Sequence, residues 1–186
     1  EKHFFVSISR REYLYFELKQ QSRDILDGKS IQKNVFPHQI AFNCLPHIDI
    51  FMENGYTKEE MKMVDETRKI LGDSTIEISP TAVRVPVFYS HSESVNVETE
   101  LPMEVDKVQN LLSSSPGIFL VDNPEESEYP LAVDACGKEG VFVGRVRRDL
   151  VRTNVLNFWV VSDNLLKGAA SNAVQIAELA LKRLEA

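Results

Sequence analysis

Two eight-residue segments near the carboxyl end constrain the fold more than any other feature of the sequence. Val141–Arg148 and Val155–Ser162 are rich in β-branched and aromatic residues, and a short polar stretch separates them. This pattern is typical of neighbouring strands joined by a turn, so we expect an antiparallel pair. Residues 94–100 alternate apolar and polar side chains, and residues 117–121 form a short apolar run. Both are predicted to be further strands.

Helical patterns lie before, between and after these strands. Thr57 and Glu60 have the spacing of a capping box, which predicts a helix from about residue 58 to Leu71, where Gly72 ends it. Apolar residues at helical spacing predict three more helices. Pro102 is expected to open the one that begins at residue 102. These three segments are residues 11–26, 102–112 and 163–185.

Three other segments are predicted to be extended. Residues 2–9 have strand composition, and so do residues 83–88, where Pro86 indicates an edge or bulged strand. Residues 35–49 are apolar with two prolines, so we expect a packed loop. Together the elements predict an α+β fold with a mixed, mostly antiparallel sheet and helices on one face. The length of 186 residues suits a single domain.

Composition excludes some classes of partner. The net charge of −7 gives no basic face for nucleic acid or an anionic membrane, and no apolar run approaches the roughly 20 residues that span a bilayer. Cys44 and Cys136 are too few for a disulfide framework, so reduced cytoplasmic thiols are the simpler interpretation. His38, Cys44 and His47 match no compact zinc pattern, so no metal is predicted.

Residues 78–93 hold the strongest candidate site, because a cation and an imidazole lie in one mostly apolar segment. Arg84 and His91 are seven residues apart, or about 23 Å along a fully extended strand. They can share a site only if the chain bends, and Pro86 and the step to Ser90 are the expected places. A fixed cation beside a titratable imidazole would suit an anionic substrate.

Other charged or small residues have simpler explanations from chemistry alone. Glu59 and Lys62 are three apart on a predicted helix and would form an ordinary surface ion pair. A salt network on the faces of a strand is a safer interpretation than a phosphate site for the three arginines Arg145, Arg147 and Arg148. The small residues that follow Lys167 favour close helix packing, although a ligand could also approach there.

Longer motifs resemble a known family. Residues 79–93 read Ser-Pro-Thr-Ala-Val-Arg-Val-Pro-Val-x-x-x-His-Ser-Glu, and residues 42–49 read Phe-Asn-x-x-Pro-x-Ile-Asp. Residues 54–63 read Asn-Gly-Tyr-Thr-Lys-Glu-Glu-Met-Lys-Met, and residues 164–170 read Asn-Leu-x-Lys-Gly-Ala-Ala. These motifs strongly resemble the carboxyl-terminal half of bacterial aspartate-semialdehyde dehydrogenases, from about Glu17 to Ala186.

The resemblance implies a fold, a reaction and residue roles. The fold is the carboxyl-terminal domain of glyceraldehyde-3-phosphate dehydrogenase-like enzymes, with homodimer contacts. The reaction is the NADPH-dependent reduction of aspartyl-4-phosphate to aspartate-4-semialdehyde and phosphate, a step in lysine, threonine and methionine biosynthesis. His91 is the implied base, and Arg84, Glu59 and Lys62 meet the substrate's carboxylate, ammonium and phosphate. Asn164 and Gly168 border the nicotinamide of NADP.

The chain departs from the family pattern in three respects. It shows no Gly-x-x-Gly nucleotide loop, so an N-terminal Rossmann domain is absent from it, and neither cysteine stands in the family's Asn-Cys-Ser/Thr context. Residues 8–16 also lack the family's substrate-orienting Gln. The chain is therefore expected to be inactive alone, as part of a longer enzyme. The alternatives are a non-catalytic dimerisation or regulatory module and, from residue type only, a hydrolase built on His91 and Cys136.

Overall fold

A computed structural model describes residues 2–184, with side chains from Leu14 onward. The chain divides into two compact units, one ending at Phe88 and one starting at Tyr89. The expectation of a single domain stays a prediction. Within residues 2–184, no helix combines the length and apolar character needed to span a bilayer.

The first unit begins with a long helix, α1 (Lys2–Leu26). The helix predicted for residues 11–26 is confirmed, and Gly28 follows it with a left-handed φ of 69°. The strand predicted for residues 2–9 is wrong, because these residues belong to α1. No Gly or Pro separates them from the helical pattern at Arg11, so the helix propagates toward the N-terminus and overrides a weak strand propensity.

The segment after α1 is a loop packed on that helix, as predicted. Leu18 of α1 shares a buried cluster with four residues of this loop, which are Phe36, Ile40, Ala41 and Leu45. Two buried polar side chains of α1 also bind the loop backbone. Glu17 accepts N–H bonds from residues 34–36, and Gln21 accepts those of Ile40 and Ala41.

The second helix, α2 (Lys58–Leu71), has the predicted boundaries. Thr57 and Glu60 form the expected capping box, and Gly72 closes the helix in the left-handed conformation. The strand predicted for residues 83–88 is wrong. Among the described residues, this segment makes a single isolated bridge, in which Arg84 and Leu45 exchange two backbone hydrogen bonds of 2.9 Å. Pro86 lacks the N–H that would extend the ladder.

The second unit is built on a four-stranded sheet in the order β1-β4-β3-β2. The pairs β1–β4 and β3–β4 are antiparallel and β2–β3 is parallel, so the predicted mixed, mostly antiparallel sheet of an α+β fold is confirmed. The strands are β1 (His91–Glu98), β2 (Ile118–Leu120), β3 (Val141–Arg148) and β4 (Val155–Ser162).

Helix α3 (Val105–Ser114) supplies the core on one side of this sheet. Val108 packs against three buried strand residues, which are Val143, Val146 and Leu156. The helix begins after its N-cap residue Glu104 and not at Pro102, so that prediction is wrong. The Thr99 hydroxyl is within hydrogen-bond distance of the backbone oxygens of Leu101 and Asn154, and these contacts hold the chain before α3 in a turn.

Strand β3 contains a bulge that the sequence pattern does not reveal. Its register with β4 shifts between Gly144 and Arg147, and Arg145 has a φ of 53°. Asp122 accepts the N–H groups of Arg145 and Val146 at 2.7 and 3.0 Å. The bulge interrupts the alternation between the two faces of the strand that was expected for Arg145, Arg147 and Arg148. Of the predicted strand-face network, the structure has an ion pair of 2.6 Å between Arg148 and Glu104.

The remaining helical segments lie before β3 and after β4. A four-residue helix, α4 (Ala132–Ala135), precedes β3 in the sequence and contacts β4. After β4, a π-helical turn (Leu166–Ala170) leads into α5 (Ser171–Leu184). The predicted final helix is therefore confirmed, with a wider first turn.

Candidate functional site

Helix α2 carries the first pair of candidate residues, Glu59 and Lys62. Their side chains form an ion pair of 3.0 Å, and both are largely exposed, at 40% for Glu59 and 48% for Lys62. The hydrogen bond to Glu59 and the negative charge of Glu59 raise the pKa of Lys62, with smaller contributions from Asp49 and Glu66. An exposed pair of this kind stabilises a protein little, so it can open to meet other charges at low cost.

Arg84 belongs to the same unit and is held by its backbone. Besides the two hydrogen bonds to Leu45, its guanidinium carbon lies 5.7 Å from the centre of the Phe36 ring. Phe36 and Leu45 are themselves buried in the core of this unit. The side chain is half-buried, so a fixed backbone presents a partly shielded cation.

Glu60 connects the Arg84 segment to α2, and sequence reasoning missed this contact. One carboxylate oxygen accepts the Thr57 N–H at 2.7 Å and the other accepts the Ala82 N–H at 2.8 Å. The Thr57 N–H and then the Ala82 N–H hold the pKa of Glu60 below its usual range. The signal in the sequence was the capping-box spacing of Thr57 and Glu60, and it indicated no more than a helix cap.

His91 opens β1 in the second unit, opposite Ser162 of β4, and its side chain is exposed. The residue before it, Ser90, is 5% exposed and has a φ of 68°, so the chain turns sharply just before His91. Ser90 Oγ donates to the Ala132 oxygen at 2.9 Å, and Ser90 N donates to Asn164 Oδ1 at 3.2 Å. The predicted bend at Ser90 is confirmed.

Asp163 orders the residues around Asn164 and Gly168. Burial opposes ionisation of Asp163, but N–H donors of Gly137, Leu165 and Leu166 outweigh it, so the pKa lies below the usual range. The backbone oxygen of Asp163 also accepts the Gly168 N–H at 3.0 Å. Asn164 and Gly168 are therefore held in one tight turn.

The two cysteines are free thiols, and His47 packs on an aromatic ring. Cys44 is exposed, Cys136 is partly buried, and both are free thiols. His47 stacks on Phe51 with ring centres 4.4 Å apart. The described residues contain no cluster of three or more His, Cys, Asp or Glu side chains suited to a metal.

The structure thus brings the candidate residues together in two sets. In the first unit, Glu60 ties the Arg84 segment to the helix that carries Glu59 and Lys62. In the second, Asn164 binds the residue next to His91. Arg84 and His91 lie in different units, and the hypothesis that they share one site stays a prediction.

Comparison with known proteins decides the family. Residues 15–167 match the family model described as semialdehyde dehydrogenase, dimerisation domain. The chain belongs to this family. Among the curated relatives of this dimerisation domain, the aspartate-semialdehyde dehydrogenase of Aquifex aeolicus is 53% identical over 167 residues, which cover 89% of this chain and 49% of that protein. The enzyme of Legionella pneumophila is 54% identical over 164 residues, or 88% of this chain and 47% of that protein.

Solved structures agree with this assignment to the dimerisation domain. Aspartate semialdehyde dehydrogenase II of Vibrio cholerae, complexed with ASA, matches with a TM-score of 0.86 and 51% identity over 90% of this chain and 49% of that chain. The Candida albicans enzyme with NADP matches with a TM-score of 0.61 and 26% identity over 75% and 44% of the two chains. The chain spans about half the length of the curated relatives it matches.

Proposed function

We propose that this chain is the substrate-binding and dimer-forming part of an aspartate-semialdehyde dehydrogenase. The observation that carries the proposal is its 53% identity to an enzyme of that name over 89% of the chain. The reaction would be the NADPH-dependent reduction of aspartyl-4-phosphate to aspartate-4-semialdehyde, with phosphate released, in the biosynthesis of lysine, threonine and methionine. The assembled enzyme would be a homodimer, with two copies of the same chain.

The first unit would bind the substrate by charge. Arg84 offers two parallel N–H donors to the α-carboxylate, which a lysine in its place would not. Glu59 would exchange its bond to Lys62 for one to the substrate's ammonium, and Lys62 would then turn to the phosphate. The exposure of that ion pair supports this exchange, because opening it costs little.

His91 would act as the acid–base group. The acyl phosphate is attacked by a thiolate, and a thiolate near neutral pH benefits from an imidazole that can take its proton. Cys44 and Cys136 lie in other sequence contexts than the family's nucleophile, so the thiol is expected from the remaining part of the enzyme. The exposed position of His91 at the start of β1 is compatible with a partner thiol.

Asn164 and Gly168 fit the nicotinamide end of NADP. Asn164 Oδ1 is occupied by Ser90 N, while its Nδ2 has no hydrogen-bond partner among the described residues and is available to a carboxamide oxygen. A Cβ built on Gly168 would meet Asp163 O at 3.6 Å and nothing closer, so there is room beside the backbone. When bound, the cofactor supplies the hydride. A cytoplasmic location is expected for such an enzyme.

The decisive experiment is a dehydrogenase assay with aspartate semialdehyde, phosphate and NADP. It compares this chain with the same chain joined to its upstream coding region. Activity in the longer protein alone is the expected result. Activity in neither would favour a non-catalytic dimerisation or regulatory module. Activity in the short chain would mean that one of its own thiols is the nucleophile.

Within the longer protein, His91→Ala is expected to lower kcat by about 10²–10⁴-fold, because the thiolate loses its base. His38→Ala is the matched control, since it removes another exposed imidazole outside the proposed site. Steady-state kinetics of both variants test the role. Turnover of the His91 variant equal to that of the control would remove His91 from the mechanism.

A further inference from the structure

Glu60 uses both of its carboxylate oxygens on backbone donors from two distant parts of the first unit. Oε2 accepts the Thr57 N–H at 2.7 Å, and Oε1 accepts the Ala82 N–H at 2.8 Å. The side chain is buried, as are Thr57 and Ala82. The two bonds therefore form away from water, where a lost partner is costly.

The helix cap accounts for only part of this arrangement. A capping box needs the Glu side chain to accept one N–H, that of the N-cap residue, and the Thr57 bond satisfies this need. The bond to Ala82 reaches 22 residues along the chain and has no role in starting α2. Its effect is to hold the segment before Arg84 against the first turn of the helix.

The same segment is also held to the core of the first unit at Arg84. Arg84 follows Ala82 by two residues and exchanges two backbone hydrogen bonds with Leu45. Glu59 precedes Glu60 by one residue, and Lys62 follows it by two. A single carboxylate thus links the backbone that carries the guanidinium to the backbone that carries the ion pair.

We propose that Glu60 is a positioning residue that sets the separation between Arg84 and the Glu59–Lys62 pair to suit one α-amino acid substrate. The proposal rests on the proposed function, in which Arg84 takes the α-carboxylate and Glu59 the α-ammonium. Both substrate groups are bonded to the same carbon, so their protein partners must keep a fixed spacing. A misplacement of about 1 Å is enough to lower activity strongly.

The test compares Glu60→Gln with Thr57→Ala in the longer protein. Glu60→Gln retains one acceptor oxygen. Because Gln also serves at this position of a capping box, its oxygen is expected to keep the Thr57 N–H, so the Ala82 N–H loses its bond. Thr57→Ala removes only the hydroxyl that accepts Glu60 N at 3.3 Å, and leaves both carboxylate bonds possible. Thr57→Ala therefore weakens the helix cap, whereas Glu60→Gln loosens the link to Ala82.

For Glu60→Gln we expect faster amide exchange at Ala82 and Arg84, and a KM for aspartate semialdehyde raised about tenfold with kcat within about twofold. For Thr57→Ala we expect faster exchange only in the first turn of α2 and a KM within about twofold of wild type. If Glu60 served only the helix cap, Thr57→Ala would change amide exchange and KM at least as much as Glu60→Gln. If Glu60→Gln folds poorly, Glu60→Asp keeps the charge with a shorter reach and is expected to release Ala82 first.

Two results would overturn the proposal. One is a KM for Glu60→Gln no higher than that of Thr57→Ala, and the other is unchanged exchange at Ala82. Failure of the proposed function is seen separately, as absence of turnover in the wild-type longer protein. In that event the exchange at Ala82 and Arg84 still decides whether Glu60 positions this segment.

Discussion

The two units hold their candidate residues by different means. In the first, within the described residues, the segments around Arg84 form only isolated bridges, and buried side chains of Glu17, Gln21 and Glu60 satisfy the loop N–H groups. In the second, His91 lies at the start of a strand in a continuous ladder with β4. A buried backbone needs hydrogen-bond partners in either case. Carboxylates and amides supply them where strands do not.

The second unit follows the same rule where its ladder is interrupted. Asp122 binds two N–H groups of the bulge in β3. Asp163, just after β4, binds the N–H groups of Gly137, Leu165 and Leu166. The difference between the units is therefore one of degree. Within the described residues, the first unit uses side-chain acceptors along its loops, and the second uses them at the ends and breaks of its sheet.

The largest effect should come from breaking the ladder of the second unit at Gly144. A Cβ there would overlap the Val121 oxygen and lie 2.7 Å from Pro130 Cδ. Because the backbone of a paired strand cannot move aside, Gly144→Ala is expected to destabilise the protein by about 3 kcal/mol or more. Chemical denaturation measures this change.

Gly140→Ala is the matched control for that prediction. Its Cβ would meet the Phe119 ring at 2.5 Å, but Phe119 is 50% exposed and its side chain can rotate away. We expect a clearly smaller loss of stability than at Gly144. Equal losses would mean that ring and backbone neighbours are equally rigid, and the ladder would not be the stiff element inferred from its register.

Sequence patterns predicted the second unit better than the first for the same physical reason. Alternation and β-branched runs encode strands directly, so β1, β3 and β4 were found, and the capping box located α2. Glu17 and Glu60 bind backbone atoms of residues 17 to 22 positions away, and no local pattern encodes such contacts. Residues 83–88 were mistaken for a strand because their β-branched and aromatic composition is that of a strand, whereas the chain bends at Pro86 and Phe88.

The site residues show a similar division. Family motifs pointed to Glu59, Lys62, Arg84 and His91 as candidates, and the ion pair between the first two followed from helix spacing. The anchoring residues Glu60 and Ser90 were missed, because their importance comes from the residues they reach. The bend at Ser90 was expected, but not its bonds to Ala132 and Asn164.

A smaller effect is expected from weakening the side-chain support of the first unit. Glu17 accepts three N–H bonds of 2.6 to 3.1 Å from residues 34–36. In Glu17→Gln an NH₂ group replaces one acceptor oxygen, so at least one of these buried or part-buried N–H groups loses its partner. We expect a loss of about 2 kcal/mol, with faster amide exchange in residues 34–36. Hydrogen exchange and denaturation together test this prediction.

Asp27→Asn is the control, because it removes one negative charge at an exposed ion pair with Lys29. Its expected effect is below about 0.5 kcal/mol. If Glu17→Gln were as mild as this control, the loop would be held by its apolar core alone. The contrast drawn between the two units would then fail.

The smallest effect concerns the turn before His91, where strain and a hydrogen bond act in opposite directions. Ser90 has a φ of 68°, which glycine adopts without cost, while its Oγ donates to Ala132 O at 2.9 Å. Ser90→Ala loses the bond and keeps the strain, so we expect it to cost about 1 kcal/mol. Ser90→Gly loses the bond but relieves about 1 kcal/mol of strain, so it should remain close to wild type.

Ser127 allows the two contributions to be separated by denaturation measurements. It has a φ of 61° and is exposed, and its hydroxyl makes no hydrogen bond within the described residues. Ser127→Gly should therefore stabilise the protein by up to about 1 kcal/mol, since strain is relieved and no bond is lost. If Ser90→Gly stabilised the protein as much as Ser127→Gly, the Ala132 bond would contribute nothing. The turn before His91 would then be held by the ladder of β1 and by the bond from Ser90 N to Asn164 Oδ1, without any contribution from the hydroxyl.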